Sequence, residues 1–268
     1  MARGLNRIYL VGALTQSPEL RYTAGGLGIL ELTLSGNDVI ELGGVKKELP
    51  WYHQVKLIGR SADFWADSLK AGALLWVEGH LEYRSWEQEG QKRSSLEIRS
   101  DRLEVVLPNP SKGNLVMTDA RGQSRLREGL NLALLVGNLT RDAELRYTPQ
   151  GTPTAHFTLA VNERTRPEEP ERAHFIEVQA WRELAEWAAE FHKGEPVFVM
   201  GRLVVDSWKT AKGESRRTLR IEASRLERLG RGGGETSSAS AIQSGSQATP
   251  PDLDEGSELP PEEEDLPF

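Results

Sequence analysis

Apolar and polar residues alternate over short runs through most of the chain, as in Ile8-Leu10, Leu30-Leu32-Leu34 and Ile176-Val178-Ala180. A period of two puts successive side chains on opposite faces of a strand, so these runs predict half-buried strands. Twice the spacing lengthens to that of a helix, over residues 62–71 (ADFWADSLKA) and 184–193 (LAEWAAEFHK). Gly72 and Gly194 follow as C-terminal stops. Beyond each helix the alternation resumes in two further strands, residues 74–86 and 94–98 in one case and 197–208 and 217–221 in the other, with Gly90 and Gly213 in the turns. Three strands, a helix and a two-stranded hairpin are the element order of the OB-fold. The opening segment, MARGLNRIYLVGAL, turns hydrophobic after a basic residue, but Gly4, Asn6 and Arg7 interrupt it. It reads as the first strand and not as a secretory leader. No apolar run approaches the roughly 20 residues of a membrane span.

The pattern occurs twice. Leu10-Val11-Gly12-x-Leu14-Thr15-xxx-Glu19-Leu20-Arg21-Tyr22-Thr23 returns 125 residues later as Leu135-Val136-Gly137-x-Leu139-Thr140-xxx-Glu144-Leu145-Arg146-Tyr147-Thr148, with Asn6 and Asn131 ahead of it and Gly26 and Gly151 behind. Trp51-Tyr52-His53-Gln54-Val55 corresponds to His174-Phe175-Ile176-Glu177-Val178. Gly79-His80-Leu81 with Ser85-Trp86 corresponds to Gly201-Arg202-Leu203 with Ser207-Trp208. Such a period is too long for a solenoid, so each copy is expected to carry its own core. The expected fold class is all-β, with one short helix per domain: two tandem OB-folds, five-stranded partly open barrels, and a disordered C-terminal tail. The expected boundaries are 1–107 and 128–229 for the folds, 108–127 for a Pro- and Gly-rich linker, and 230–268 for the tail.

Composition narrows the chemistry. Cysteine is absent, which removes disulfides, thiolate metal sites and cysteine nucleophiles, and fits a cytoplasmic protein. The histidines, His53, His80, His156, His174 and His192, have no metal-ligand spacing, so neither metal nor cofactor is expected. No Walker loop or nucleophile elbow is present, and the reading is of a protein that is not an enzyme. The net charge of −7 belongs to the end of the chain: from Gly230 onward one arginine faces nine acidic residues, leaving 32 basic and 31 acidic residues before it. A body near neutrality can still carry a basic groove, because the local field and not the sum attracts an anion.

Strand alternation places Tyr52, Gln54, Lys56 and Ile58 on one face of the third strand of copy one, and Phe175, Glu177, Gln179 and Trp181 on that of copy two. His53, Val55 and Leu57, with Ile176, Val178 and Ala180, then face the core. Trp86 and Trp208 stand where strands enter a polar hairpin, a poor place to bury an indole. Exposed rings stack on nucleobases with little regard for sequence, at about 1–3 kcal/mol per base. Arg21, Lys56, Arg84, Lys92, Arg93, Arg146, Arg202, Lys209, Arg216 and Arg217 lie in the same strands and loops, where they can track phosphates. A lone surface arginine is most often a solvated charge, and it is the recurrence in both copies that favours the functional reading. Trp65 and Trp187 fall at core spacing and are expected only to pack; Trp51 fits core or loop equally.

These motifs, LVGxLTxxxELRYTxxG, the strand around Tyr52 or Phe175, the GxLxxxSW segment and the terminal Asp265-Leu266-Pro267-Phe268, resemble those of bacterial single-stranded DNA-binding proteins. The resemblance covers both copies and the tail tip. It implies sequence-independent binding of single-stranded DNA and stacking aromatics at Tyr52, Trp86, Phe175, Trp181 and Trp208. In addition, it implies a homodimer, since this chain is similar to the lineage with two folds per subunit, and recruitment of replication, repair and recombination proteins. The sequence departs from the family where Ile58 replaces an aromatic, and where Val205-Asp206 stands opposite Tyr83-Arg84. The two copies are therefore expected to be inequivalent.

The last segment has almost no apolar content before Leu266, Pro267 and Phe268, and is too polar to fold alone. Its tip presents a ring and a free carboxylate together after Glu262 to Asp265, which suits a basic-rimmed apolar pocket on a partner. The competing reading of the whole chain is a tandem OB scaffold that binds proteins without binding DNA.

Overall fold

The computed structural model describes residues 4–42, 45–88, 90–107, 114–163, 171–209 and 215–230; for 41–42, 45, 88, 91–92, 208–209 and 215–216 it describes the backbone alone. The expected tail from 231 onward, including the Asp265–Phe268 tip, lies outside the described residues.

The first copy runs β1 (Leu5–Leu14), β2 (Leu20–Tyr22), β3 (Gly28–Leu42), β4 (Val45–Ile58), α1 (Arg60–Ala66), β5 (Leu74–Gln88) and β6 (Gln91–Val105). A hairpin follows, β7 (Val116–Thr118) and β8 (Ser124–Leu126). The second copy runs β9 (Leu130–Leu139), β10 (Glu144–Tyr147), β11 (Pro153–Glu163), β12 (Arg172–Trp181), α2 (Glu183–Ala188), β13 (Pro196–Lys209) and β14 (Ser215–Arg228). Each copy is a five-stranded OB barrel. In the first, β1 pairs β5, β5 pairs β6, β6 runs parallel to β4, β4 pairs β3, and β3 returns to β1. That last seam holds only Ala13↔Ser35 and Leu14↔Leu34, and its counterpart only Leu159↔Leu139 and Ala160↔Asn138.

The alternation read from the sequence accounts for the cores. Ile8, Leu10, Leu30, Leu32, Leu34, Val55, Leu57, Leu75, Val77 and Leu81 fill one barrel, and Leu135, Phe157, Leu159, Ile176, Val178, Val197, Val199 and Leu203 the other. Two repeated residues have structural reasons to recur. The amide of Asn6 donates to Leu81 O and accepts from Leu81 N–H, at 2.8 and 2.9 Å; Asn131 does the same with Leu203 at 3.0 Å in both directions. Gly79 and Gly201 sit at bulges where a Cβ would lie 2.1 and 2.2 Å from a backbone oxygen of the neighbouring strand, so no larger residue fits.

Several expectations are corrected. The helices start earlier and are shorter than predicted, ending at Ala66 and Ala188. Gly72 and Gly194 do have positive φ, yet they serve the return to the barrel: Gly72 N–H donates to Leu14 O and Gly194 N–H to Leu139 O, both at 2.8 Å. The final strands extend to Val105 and Arg228, well beyond the predicted 98 and 221. The segment read as a Pro- and Gly-rich linker, 108–127, holds β7 and β8, and Leu126 is buried against Ala13 and Leu74. Trp51 is core, 5% exposed, stacked on His53 with ring centroids 5.1 Å apart.

The two barrels join edge to edge, β1 antiparallel to β9, in one continuous sheet. Ile8 pairs with Ala133, its own counterpart 125 residues on, and the pairs around it are reciprocal: Asn6↔Leu135 mirrors Leu10↔Asn131. The register is that of an isologous contact made within one chain.

Candidate nucleic-acid interface

Cross-strand pairing carries the outward face of β4 onto β6 and β5. Tyr52, Gln54, Lys56 and Ile58 project from β4. Glu82, Arg84 and Trp86 on β5 stand opposite Glu97, Ser95 and Arg93 on β6. The β5–β6 pair runs on past the barrel as an arm, with Trp86, 46% exposed, near its end and directly across from Arg93. Arg84 is exposed and has no carboxylate within 4 Å among the described residues. Arg93 is half-buried, and its Nε has no hydrogen-bond partner there. Ring and guanidinium groups thus share one face at the tip of this arm.

Nearer the barrel the same face is electrically closed. Lys56 Nζ lies 2.8 Å from Glu97 and 3.4 Å from Glu31, and Arg99 lies 3.4 Å from Glu82. Arg21 is paired with Glu19 at 3.6 Å, although both are well exposed. Tyr52 sits at the far edge of the face. Its hydroxyl donates to Asp119 Oδ2, Arg125 Nη1 donates to the same hydroxyl at 3.3 Å, and both partners belong to the β7–β8 hairpin region. The hairpin therefore fixes the edge of this ring.

In the second barrel Phe175 and Trp181 are half-buried on the outward face of β12. Phe175 meets Tyr83 of the first barrel edge-on, centroids 5.4 Å apart, and Tyr83 N–H donates to His174 Nδ1 at 3.0 Å. Phe175 thus lies at the seam between the barrels. Trp181 shares a cross-strand row with Thr154 and Arg146. Gln179, expected on the open face, is buried; its amide nitrogen lies 3.1 Å from Thr154 Oγ1 and 3.2 Å from His156 Nε2. Burial, reinforced by Arg220 and Arg146, lowers the His156 pKa to about 4, so this ring is neutral near pH 7.

Cations in this copy are also engaged. Arg202 reaches Glu222 at 2.8 Å and, across the seam, Asp38 at 3.4 Å; Arg146 holds Glu144 at 2.8 Å; Arg220 chelates Asp206. That last pair explains the Asp206 noted in the sequence as a departure, since it neutralises a neighbour on β14. The backbone pairs Trp208 with Arg216 and Lys209 with Ser215, and Glu87 with Lys92, while the side chains of Lys92, Trp208, Lys209 and Arg216 lie outside what is described.

The sequence reading missed three features. Tyr22 and Tyr147, 125 residues apart and 62% and 60% exposed, flank Arg21 and Arg146, and their recurrence beside those arginines was the available signal. Trp187, expected only to pack, is 39% exposed and holds Arg228 over its ring at 5.3 Å as well as meeting Phe191. The Asp119 and Arg125 contacts to Tyr52 had no signal, because nothing in the segment's composition says where it lands.

Comparisons with known proteins agree with this geometry. The family model described as the single-strand binding protein family matches residues 5–106 and again 130–229. The chain is 54% identical over 274 residues to a single-stranded DNA-binding protein of Thermus thermophilus and 40% identical over 305 residues to one of Deinococcus radiodurans, in both cases covering all of each chain. It is similar to the crystal structure of the wild-type single-stranded DNA binding protein from Thermus aquaticus, with a TM-score of 0.69 and 46% identity, covering 88% of this chain and 98% of that one. With two matched OB barrels, an outward face of rings and guanidinium groups, and relatives matched along the whole chain, the protein belongs to the single-strand binding protein family.

Proposed function

We propose that this protein binds single-stranded DNA without sequence preference and without catalysing a reaction on it. The observation that carries the reading is Trp86, half exposed at the end of the β5–β6 arm with Arg84 and Arg93 on its own face. An indole there gains little from the fold and much from a base laid on it. Tyr52, Phe175, Trp181 and Trp208 continue the stacking surface. The paired cations Lys56, Arg146 and Arg202, with Arg21, exchange carboxylate partners for phosphates on binding. Arg84, Arg93, Lys92, Lys209 and Arg216 serve the arms. The test is quenching of tryptophan fluorescence by oligo-dT, with duplex DNA as control. Strong quenching by the single strand, weakening with salt at a log–log slope of about −0.7 per phosphate neutralised, supports the reading; equal response to the duplex sinks it.

We further infer protection of exposed strands during replication, recombination and repair in the cytoplasm, with Asp265, Leu266, Pro267 and Phe268 recruiting partner proteins. Homodimerisation is supported by the outer face of the sheet formed by β13, β9, β1 and β5. There Leu132, Leu134, Val136, Phe198, Tyr9 and Trp76 make a largely apolar surface on the side away from the barrel cores, crossed by Arg7 opposite Leu134 and Glu78 opposite Tyr9. Its near-two-fold symmetry suits packing against a second copy.

A further inference from the structure

Arg182 follows Trp181 and opens α2 with φ 54° and ψ −131°. Among the described residues no other non-glycine has a positive φ. At the equivalent place the first barrel has Gly59, with φ 69° and ψ −140°. The surrounding hydrogen bonds coincide. Gly59 N–H donates to Gly28 O at 2.8 Å and Arg182 N–H to Pro153 O at 2.9 Å; Gly59 O accepts from Ala62 N–H at 2.8 Å and Arg182 O from Ala185 N–H at 2.9 Å. One backbone geometry serves both turns, and only the first barrel fills it with the residue that adopts it without strain. Strain of this kind persists where something offsets it, and it gathers at ligand-binding positions.

Backbone hydrogen bonds hold the turn, but they would hold it equally for glycine, and the side chain adds nothing within the fold. The Arg182 side chain is exposed and has no hydrogen-bond or ion-pair partner among the described residues. Arg146, Arg202 and Arg220 of the same barrel each hold a carboxylate. The first barrel carries its cation at this corner one residue later, as Arg60 in the first helical turn, where the second barrel has the acidic Glu183. The second barrel therefore keeps a cation here only by placing it at the strained position. Its neighbour is Trp181, while the neighbour of Gly59 is Ile58.

We propose that Arg182 is a phosphate-contacting residue of the second barrel, held in a glycine conformation because its guanidinium clamps the DNA backbone beside a base stacked on Trp181. The proposal rests on the single-stranded DNA reading above and makes this corner a stronger anchor in the second barrel than in the first.

The full-length protein is compared with Arg182→Gly, Arg182→Ala and Arg182→Lys for melting temperature and for oligo-dT affinity across a salt series. Arg182→Gly is expected to melt higher by about 2–4 °C, relief of strain outweighing the added freedom of glycine in the unfolded chain. Its affinity is expected to fall about five-fold at 0.1 M salt, with the salt slope reduced by about 0.7. Arg182→Ala loses the same affinity without the rise in melting temperature, and Arg182→Lys retains most of both slope and affinity. If Arg182→Gly and Arg182→Ala bind with wild-type affinity and slope, or if Arg182→Gly melts no higher, the proposal is overturned while the binding function stands. Failure of the wild type to bind oligo-dT removes the underlying reading instead.

Discussion

Two indoles of this molecule, Trp86 and Trp51, have opposite mutational signatures. Trp86 has little to pack against, so Trp86→Ala is expected to leave the melting temperature within a degree or two while weakening oligo-dT binding by about 1–3 kcal/mol. Trp51, wedged against Gly12, Gly36 and Gly129 and stacked on His53, is the reverse; Trp51→Ala is expected to cost about 3–5 kcal/mol of stability. Unfolding and binding isotherms measured on the same preparations separate them. His53 itself gives a pH signature. Burial lowers its pKa to about 3, below the ordinary 6.5, so the unfolded chain takes up a proton that the folded chain refuses. Stability is full above about pH 6.5 and is lost as pH falls toward 3; between pH 7 and pH 5 His53 contributes a loss of about 2 kcal/mol. His156, lowered to about 4, adds a loss of the same sign. Denaturant titrations at pH 7 and pH 5 are expected to show the drop, reduced in His53→Gln. Alternation alone placed His53 inside and Tyr52 outside. The reach of Asp119 to the Tyr52 hydroxyl was not legible, because a contact across 67 residues leaves no local pattern.

Among the elements, the β7–β8 hairpin changes the picture most. It is anchored by Gly36↔Leu126 on β3, by Gly129 N–H donating to Asn37 O at 3.0 Å, and by burial of Leu126. Leu126→Ala is expected to cost about 2–4 kcal/mol locally, seen as faster amide exchange over 116–126 with the barrel strands still protected. Because Tyr52 loses its hydroxyl partners when the hairpin lifts, exchange and oligo-dT affinity are expected to change together. It carries only three-residue strands, too short for a period of two to declare itself, and the 108–127 segment that holds it reads as rich in Pro, Gly and polar residues. Helix lengths were overestimated for a related reason: apolar spacing in LAEWAAEFHK continues into Phe191, which is fully buried from a turn beyond α2. Burial kept the pattern alive after the backbone had left the helix.

At the scale of the molecule, fold and repeat were legible because each copy restates the same strand order, whereas the way the copies meet was not. A β1 edge reads identically whether it pairs within the chain or with another molecule. The apolar face beneath that joint carries a prediction: Leu132→Glu together with Leu134→Glu is expected to halve the native mass while leaving both barrels folded, as native mass spectrometry and circular dichroism would report. An unchanged mass, or a wild-type mass already that of one chain, would remove the support that this face gives to dimerisation. The Ile8↔Ala133 pair has a further effect. In an assembly of identical subunits, the residue on the symmetry axis must accommodate itself, and two isoleucines or two alanines would meet there. Covalent linkage lifts that restriction, so a bulky side chain can sit opposite a small one and each half can drift independently. It also means that dilution, however extreme, cannot part these two halves, since the tether holds them at a fixed local concentration, whereas a contact between separate chains would respond to protein abundance.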